Sequence, residues 1–351
     1  MKAVVYHGLQ DIRVENVPDV ELEADTDVVL GVEKTAICGS DLHLWHSPTW
    51  TDGAVGFTVG HEFFGTIEEV GAGVQRFKKG DRVLASCTIG CGRCENCRRG
   101  VYSCCLEATQ GLRQPNVFGF GSYGGGQAEA VRIPYADVNC FHLPSAVDDE
   151  SSLFLTDILP TGYMGADLAQ VTPGDVVVVF GAGPVGVCAQ QSVKICGAAT
   201  VIAVDLDDGR LARAARGGCV TVNPQKQDLL TTVMELTNGV GADATIEAVG
   251  IPALIAQAAE VTRPGGHVAV IGAIMKPFEI QWQQFFTKNI SLHTGVVSPQ
   301  VYIPRLLRLI EAGQLKPSEL ITHHFSLDQA THAYEMFANH KESVLKVVLS
   351  P

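Results

Sequence analysis

The spacing of apolar positions changes character twice along the chain. Up to about residue 145, short β-branched or alternating runs recur at Ala3–His7, Ile12–Val14, Val28–Thr35, Phe63–Val70 and Gln127–Ile133, with polar and glycine-containing turns between them. Such runs predict β-strands. Helical patterns follow at Asp148–Leu155 and from Thr156 through Gln170. From residue 176 strand and helix alternate: strands are predicted at 176–180, 201–205, 219–222, 243–247, 266–271 and 290–293, and helices at 184–196, 207–215, 227–238 and 251–262. Arg263-Pro264-Gly265-Gly266 reads as the turn before the fifth strand. Val176–Phe180 shows no alternation, the mark of a strand buried on both faces of a parallel sheet. Six strands with crossover helices predict an α/β doubly wound sheet. The last region reads as helix 300–312, strand 320–324, helix 327–338 and strand 344–349.

Composition narrows the function. The 351 residues suffice for two domains, and 46% hydrophobic content supplies a core. No apolar run is long enough to span a membrane, and no signal segment precedes the first strand, so a cytoplasmic protein is expected. A net charge of −13 argues against nucleic-acid and anionic-membrane partners. Eleven cysteines without an export signal point to metal rather than disulfides.

Four stretches carry chemistry. Gly181-x-Gly183-Pro184-Val185-Gly186 follows the strand at once and opens a helix. Glycine permits the tight turn and close approach to a pyrophosphate, which the helix N-terminus favours electrostatically. Asp205 ends the next strand, 19 residues past Gly186, where a carboxylate can bind a ribose hydroxyl. Cys91-x2-Cys94-x2-Cys97-x7-Cys105 is spaced to wrap one tetrahedral Zn²⁺, and a closed set of four thiolates is structural. An iron–sulfur cluster and a disulfide knot are the rival readings of that loop, with Cys87 and Cys104 spare. Cys38-Gly39-Ser40-Asp41-Leu42-His43 has the composition of a site lip, or else of a helix cap beside a half-buried cysteine. Gly60-His61-Glu62 offers a metal ligand or a structural histidine, and Asp157 is an acid in a mostly apolar setting.

With these motifs the sequence resembles the zinc-dependent medium-chain alcohol dehydrogenases over nearly its whole length. Gly60-His61-Glu62-x2-Gly65-x5-Gly71-x2-Val74 matches that family's zinc signature, the four-cysteine loop its structural lobe, and Gly181–Gly186 with Asp205 its coenzyme fold. The resemblance implies a GroES-like β-barrel catalytic domain split into residues 1–158 and 296–351 around a Rossmann coenzyme domain at 159–295, with the active site in the cleft. It implies two zinc ions per chain and NAD. Cys38, His61 and Asp157 would hold the catalytic zinc, Asp157 standing where many members have cysteine, as in bacterial secondary-alcohol dehydrogenases. Cys91, Cys94, Cys97 and Cys105 would hold the structural one. Glu62 would lie behind the metal, Ser40 and His43 would relay the proton, and Arg210 would flank the adenosine ribose. The implied reaction is NAD-linked oxidation of an alcohol, secondary in first place, and its reverse; polyols, diols and amino alcohols are alternatives. A homo-oligomer, tetramer before dimer, is expected. Two rivals stand beside this: a zinc-free quinone or enoyl reductase and a non-catalytic zinc- or NAD-binding protein. Trp45, Trp50, Phe118, Trp282 and Val296 are candidates for an apolar pocket or for core. Asp205, Asp207 and Asp208, with Arg210 the one nearby cation, predict rejection of a 2′-phosphate.

Overall fold

The computed structural model describes residues 1–47, 53–274, 277–339 and 344–351. The chain forms two compact units, Met1–Pro160 with Val297–Pro351, and Thr161–Val296.

The first unit is built on the strand Val28–Ile37, whose apolar ends are buried and whose Glu33 and Lys34 reach the rim. One edge pairs antiparallel with Glu62–Val70. The other edge is shared: Ala130–Ile133 pairs with its first half and Lys346–Ser350 with its last residues. The sheet continues through Arg82–Ala85 to Cys140–His142 on one side and to Ile321–Ser326 on the other. The register sets Ala36 opposite Glu62 and Ile37 opposite Val347, so three strand ends converge beside Cys38. Phe63, Phe64 and Phe118 are fully buried here. Each contributes about 1.5–3 kcal/mol by burial. A small sheet of Asp11–Asn16, Lys2–Gly8 and Phe57–Thr58 packs its Val4 and Tyr6 with Leu44, Trp45 and Tyr334.

The second unit is a six-stranded parallel sheet ordered Val220–Val222, Thr200–Val204, Val176–Phe180, Ala242–Glu247, Thr262–Val270, Ser291–Thr294. In sequence order this is 3-2-1-4-5-6, the doubly wound topology. Phe180 lies level with Val204 and with Glu247, which brings the loops after these strands together at the point where the order reverses. The crossover helices start with side-chain caps where the sequence supplies acids: Asp207 accepts from the Arg210 N–H and Asp228 from the Thr231 N–H. One expectation fails. Arg263–Gly266 does not precede the fifth strand but lies inside it as an unpaired bulge: Thr262 already pairs with Ala242, the next pair is His267 with Ala244, and Gly265 turns the chain at φ +72°.

Candidate active site and metal centres

The four-cysteine lobe is the simpler centre. Cys91, Cys94, Cys97 and Cys105 place their sulfurs within 4.8 Å of one another. The Cys91–Cys97 and Cys94–Cys105 separations are 4.0 and 3.9 Å. A tetrahedral ion with Zn–S of about 2.3 Å needs sulfur–sulfur edges of about 3.8 Å, so the set fits one zinc. None of the eleven cysteines, all among the described residues, is in a disulfide, and the sulfurs are too close to span a multi-iron cluster. Backbone N–H groups of Cys91, Cys94 and Ala108 point at the sulfurs, as thiolates require. Burial pushes the Cys91 thiol up to about 11. Against its own burial, the N–H groups of Cys97 and Leu106 bring Cys94 down to about 6. A dication would ionise the remaining thiols and release their protons.

The second cluster gathers Cys38, His61, Glu62 and Asp157, again with ligand atoms within 4.8 Å of one another. Cys38 follows the strand Val28–Ile37, and His61 and Glu62 open the neighbouring strand. Gly60 makes this entry possible: its φ is +95°, and a Cβ there would sit 2.3 Å from Gln127 Cγ. Asp157 lies between two helices, Asp149–Phe154 and Ile158–Leu168. Its Oδ2 is 3.3 Å from His61 Nε2 and 3.6 Å from Cys38 Sγ. His61 Nδ1 faces the fully buried Asp41, 3.2 Å from Oδ1. Asp41 is fixed in turn by the N–H of Cys38 and by Gln127 Nε2, and Tyr334 donates to Gln127 Oε1. Burial opposes a charge on His61, but Asp41 and Asp157 raise its pKa well above the ordinary histidine value. The donor set therefore suits a cation held by one thiolate, one imidazole and one carboxylate. Ser40 occupies the N-cap position of Asp41–His46, yet its hydroxyl makes no cap and lies 3.2 Å from His61 Nε2. His43 is half-buried on that same helix.

In the second unit Gly181 has φ +98°, and a Cβ on Gly186 would lie 2.0 Å from the Gly181 carbonyl oxygen. Pro184 and Val185 form the first turn of Pro184–Ile195, capped by Gly183. Asp205 accepts from the Ala182 N–H at 2.7 Å and from the Asp207 N–H at 3.0 Å, which locks the second strand's acid to the glycine loop. The Arg210 guanidinium lies over Gly183, 3.7 Å from where a Cβ would be.

Two family models match the chain: an alcohol dehydrogenase GroES-like domain over residues 24–145 and a zinc-binding dehydrogenase over 184–312. An alcohol dehydrogenase of Cupriavidus necator is 34% identical across 100% of this chain and 99% of its own. The solved alcohol dehydrogenase TADH from Thermus sp. ATN1 superposes with a TM-score of 0.90 at 35% identity, covering 100% of this chain and 99% of that one. The chain belongs to the zinc-dependent medium-chain alcohol dehydrogenase family. Two further neighbours were solved with a nucleotide. A zinc-binding dehydrogenase from Sinorhizobium meliloti 1021 is bound to NADP, at TM-score 0.85, 27% identity and coverage of 100% and 99%. An E. coli CFT073 alcohol dehydrogenase is complexed with NADH, at TM-score 0.87, 25% identity and coverage of 100% and 99%.

As an oxidoreductase of this family, the chain shows several site residues that the sequence did not single out. Asp41, Gln127 and Tyr334 form the buried chain behind His61; a helix-capping position masked Asp41, and the other two arrive from remote segments. Cys87, expected to be spare, donates to Asp157 Oδ1 at 3.6 Å, and burial followed by the Asp157 charge raises its pKa well above the ordinary thiol value. Phe120 sets its ring 5.4 Å from that of His61. Trp45 and Phe118 are core rather than pocket wall: Trp45 stacks on Tyr334, and Phe118 meets Phe63 edge-on. Trp282 and Val296 are exposed, and Trp50 lies outside the described residues. The expectation that Arg210 is the one cation near the acids Asp205, Asp207 and Asp208 is corrected at Asp208. Lys226 pairs with Asp208.

Proposed function

We propose that the chain oxidises an alcohol, a secondary alcohol in first place, with NAD, and runs the reverse reduction. The convergence of Cys38, His61 and Asp157, with the Ser40 hydroxyl beside the same imidazole nitrogen, carries this reading. Zinc held there would supply a Lewis acid that makes the substrate hydroxyl more acidic. Asp41 fixes the ring of His61 so that Nε2 faces the other donors, as carboxylate–histidine pairs do at metal sites. Ser40 is the first proton acceptor and His43 passes the proton to solvent. Cys91, Cys94, Cys97 and Cys105 would hold a second zinc, which would stiffen their lobe.

Gly181, Gly183 and Gly186 would hold the pyrophosphate of the cofactor at the start of the helix, and Asp205 would accept from the adenosine ribose. Each Asp205 oxygen keeps a second lone pair after its backbone bond. Asp208 is already neutralised by Lys226, so fewer negative charges oppose a 2′-phosphate than the bare sequence suggests. The expected preference for NAD is about ten- to a hundredfold, or about 1.4–2.7 kcal/mol. The test is kcat/KM with NAD and with NADP at fixed salt across a panel of secondary alcohols, diols and polyols. Activity with neither cofactor sinks the proposal. Equal use of both removes Asp205 from the ribose site, and a primary alcohol as best substrate removes the secondary-alcohol assignment.

A further inference from the structure

The two clusters have the same number of donors but are assigned opposite tasks. Four donors close a tetrahedral shell, and the cysteine lobe has four. The cluster at Cys38 also has four, because Glu62 lies within the same 4.8 Å envelope as Cys38, His61 and Asp157. If all four bound one ion, no position would remain for a substrate. Charge makes the problem sharper: one thiolate and one Asp carboxylate already balance a dication, and Glu62 is a surplus negative charge with no exposure at all.

The structure supplies one group that answers both points. Lys346 is 1% exposed, and its Nζ pairs with Glu62 Oε2. It stands at the start of Lys346–Ser350, on the opposite edge of Val28–Ile37 from Glu62. Its ammonium also lies 5.9 Å over the ring of Phe154. Glu62 Oε1 has no hydrogen-bond partner among the described residues, so this ion pair is what holds the carboxylate. A buried lysine with a single carboxylate partner is expensive to maintain and needs a reason.

Building on the catalytic reading above, we propose that Lys346 is a positioning residue that holds Glu62 off the catalytic metal and so keeps the substrate's coordination position open. Without that ammonium, the nearest compensating charge for Glu62 is the metal itself. The carboxylate then becomes a fourth donor, closes the shell, and cancels the charge that the ion offers a substrate.

The test uses the full chain with its exchangeable zinc replaced by Co²⁺. It reads the visible spectrum, the response of that spectrum to added imidazole, and the rate of metal loss to dipicolinate. In the wild type imidazole is expected to shift the bands. Lys346→Met is expected to keep two metals per chain, to lose the imidazole response, and to release the ion at least about tenfold more slowly, with kcat reduced about a hundredfold by the closed shell. Lys346→Met with Glu62→Gln is expected to regain imidazole access and fast release, and Lys346→Arg to behave as wild type. If Lys346→Met does not fold, Lys346→Gln, which keeps a donor of similar length without the charge, takes its place with the same expectations. A Lys346 variant that still answers imidazole, or a defect that Glu62→Gln does not relieve, overturns the role of Lys346 alone. A wild-type chain with no exchangeable ion overturns the site itself.

Discussion

His61 is held at both ring nitrogens, by Asp41 at Nδ1 and among the other donors at Nε2. Asp41 never joins the donor set, yet it fixes which nitrogen is offered. Asp41→Asn keeps the shape and one acceptor but removes the charge, and should weaken zinc at this site about 10- to 100-fold. Asp157→Asn removes an anionic donor outright and should cost more metal affinity and most of the turnover. Both variants should bind the nucleotide with nearly unchanged affinity. Chelator competition alongside NADH fluorescence titration checks this, and an Asp157→Asn variant with full metal content and full activity would rule out ligation by Asp157. At this scale the sequence reveals donors and hides their supports. Cys38, His61 and the four lobe cysteines stand in local motifs. Asp41 shares its position with an ordinary helix cap. Lys346 shows only as a lone charge in Val344-Leu345-Lys346-Val347-Val348-Leu349, a signal visible in hindsight as a lysine interrupting a buried strand.

Among the elements, Arg82 ties three together. On its own strand it bonds Glu33 of Val28–Ile37 through Nε at 2.7 Å and Asp149 of the helix Asp149–Phe154 through Nη1 at 2.8 Å. Burial works against the Glu33 charge, but Arg82 and Thr66 hold its pKa below the ordinary value, and the bond to Arg82 does the same for Asp149. Carboxylates depressed in the folded state stabilise it above their unfolded pKa values, about 4, and that stability is lost as pH falls through the lower folded values. All three groups are a third or more exposed, so solvent screening limits the bridge to about 1 kcal/mol. Arg82→Gln should therefore lower stability by about that much at pH 7, and the difference from wild type should vanish toward pH 3 in urea titrations. A difference that is the same at both pH values would refute this account. The strands themselves were legible from β-branched runs and the crossovers from apolar periodicity. Pro264 and Gly265 are turn residues by local propensity and do bulge out unpaired; what no local pattern announces is that Thr262, before them, already pairs with Ala242.

Across the whole molecule, the two metal clusters predict two classes of zinc. A mild chelator should strip the ion at Cys38, His61 and Asp157 first and abolish activity while the circular dichroism stays unchanged. The four-thiolate ion should leave only under stronger conditions, and its loss should unfold the lobe and expose its tyrosines. Metal analysis against residual activity follows both steps; full activity at one zinc per chain after the first step would contradict the assignment. The topology of the first unit was less legible than its motifs. Pairing between Val28–Ile37 and Lys346–Ser350 joins segments more than three hundred residues apart, and no local pattern announces such a partner.

That pairing also orders events on the ribosome. The donors Cys38, His61, Glu62 and Asp157 are all made before the second unit, Thr161–Val296, which is contiguous and complete before the strand Lys346–Ser350 is made. Lys346 is made 189 residues after Asp157. At about 5–20 residues per second, the stretch from Val297 to Lys346 takes on the order of several seconds. For that interval the nascent chain carries every donor of the catalytic site but not the ammonium assigned to hold Glu62 aside. A zinc ion captured in that interval would meet four donors and a closed shell, and would acquire an open position only when the strand Lys346–Ser350 docks.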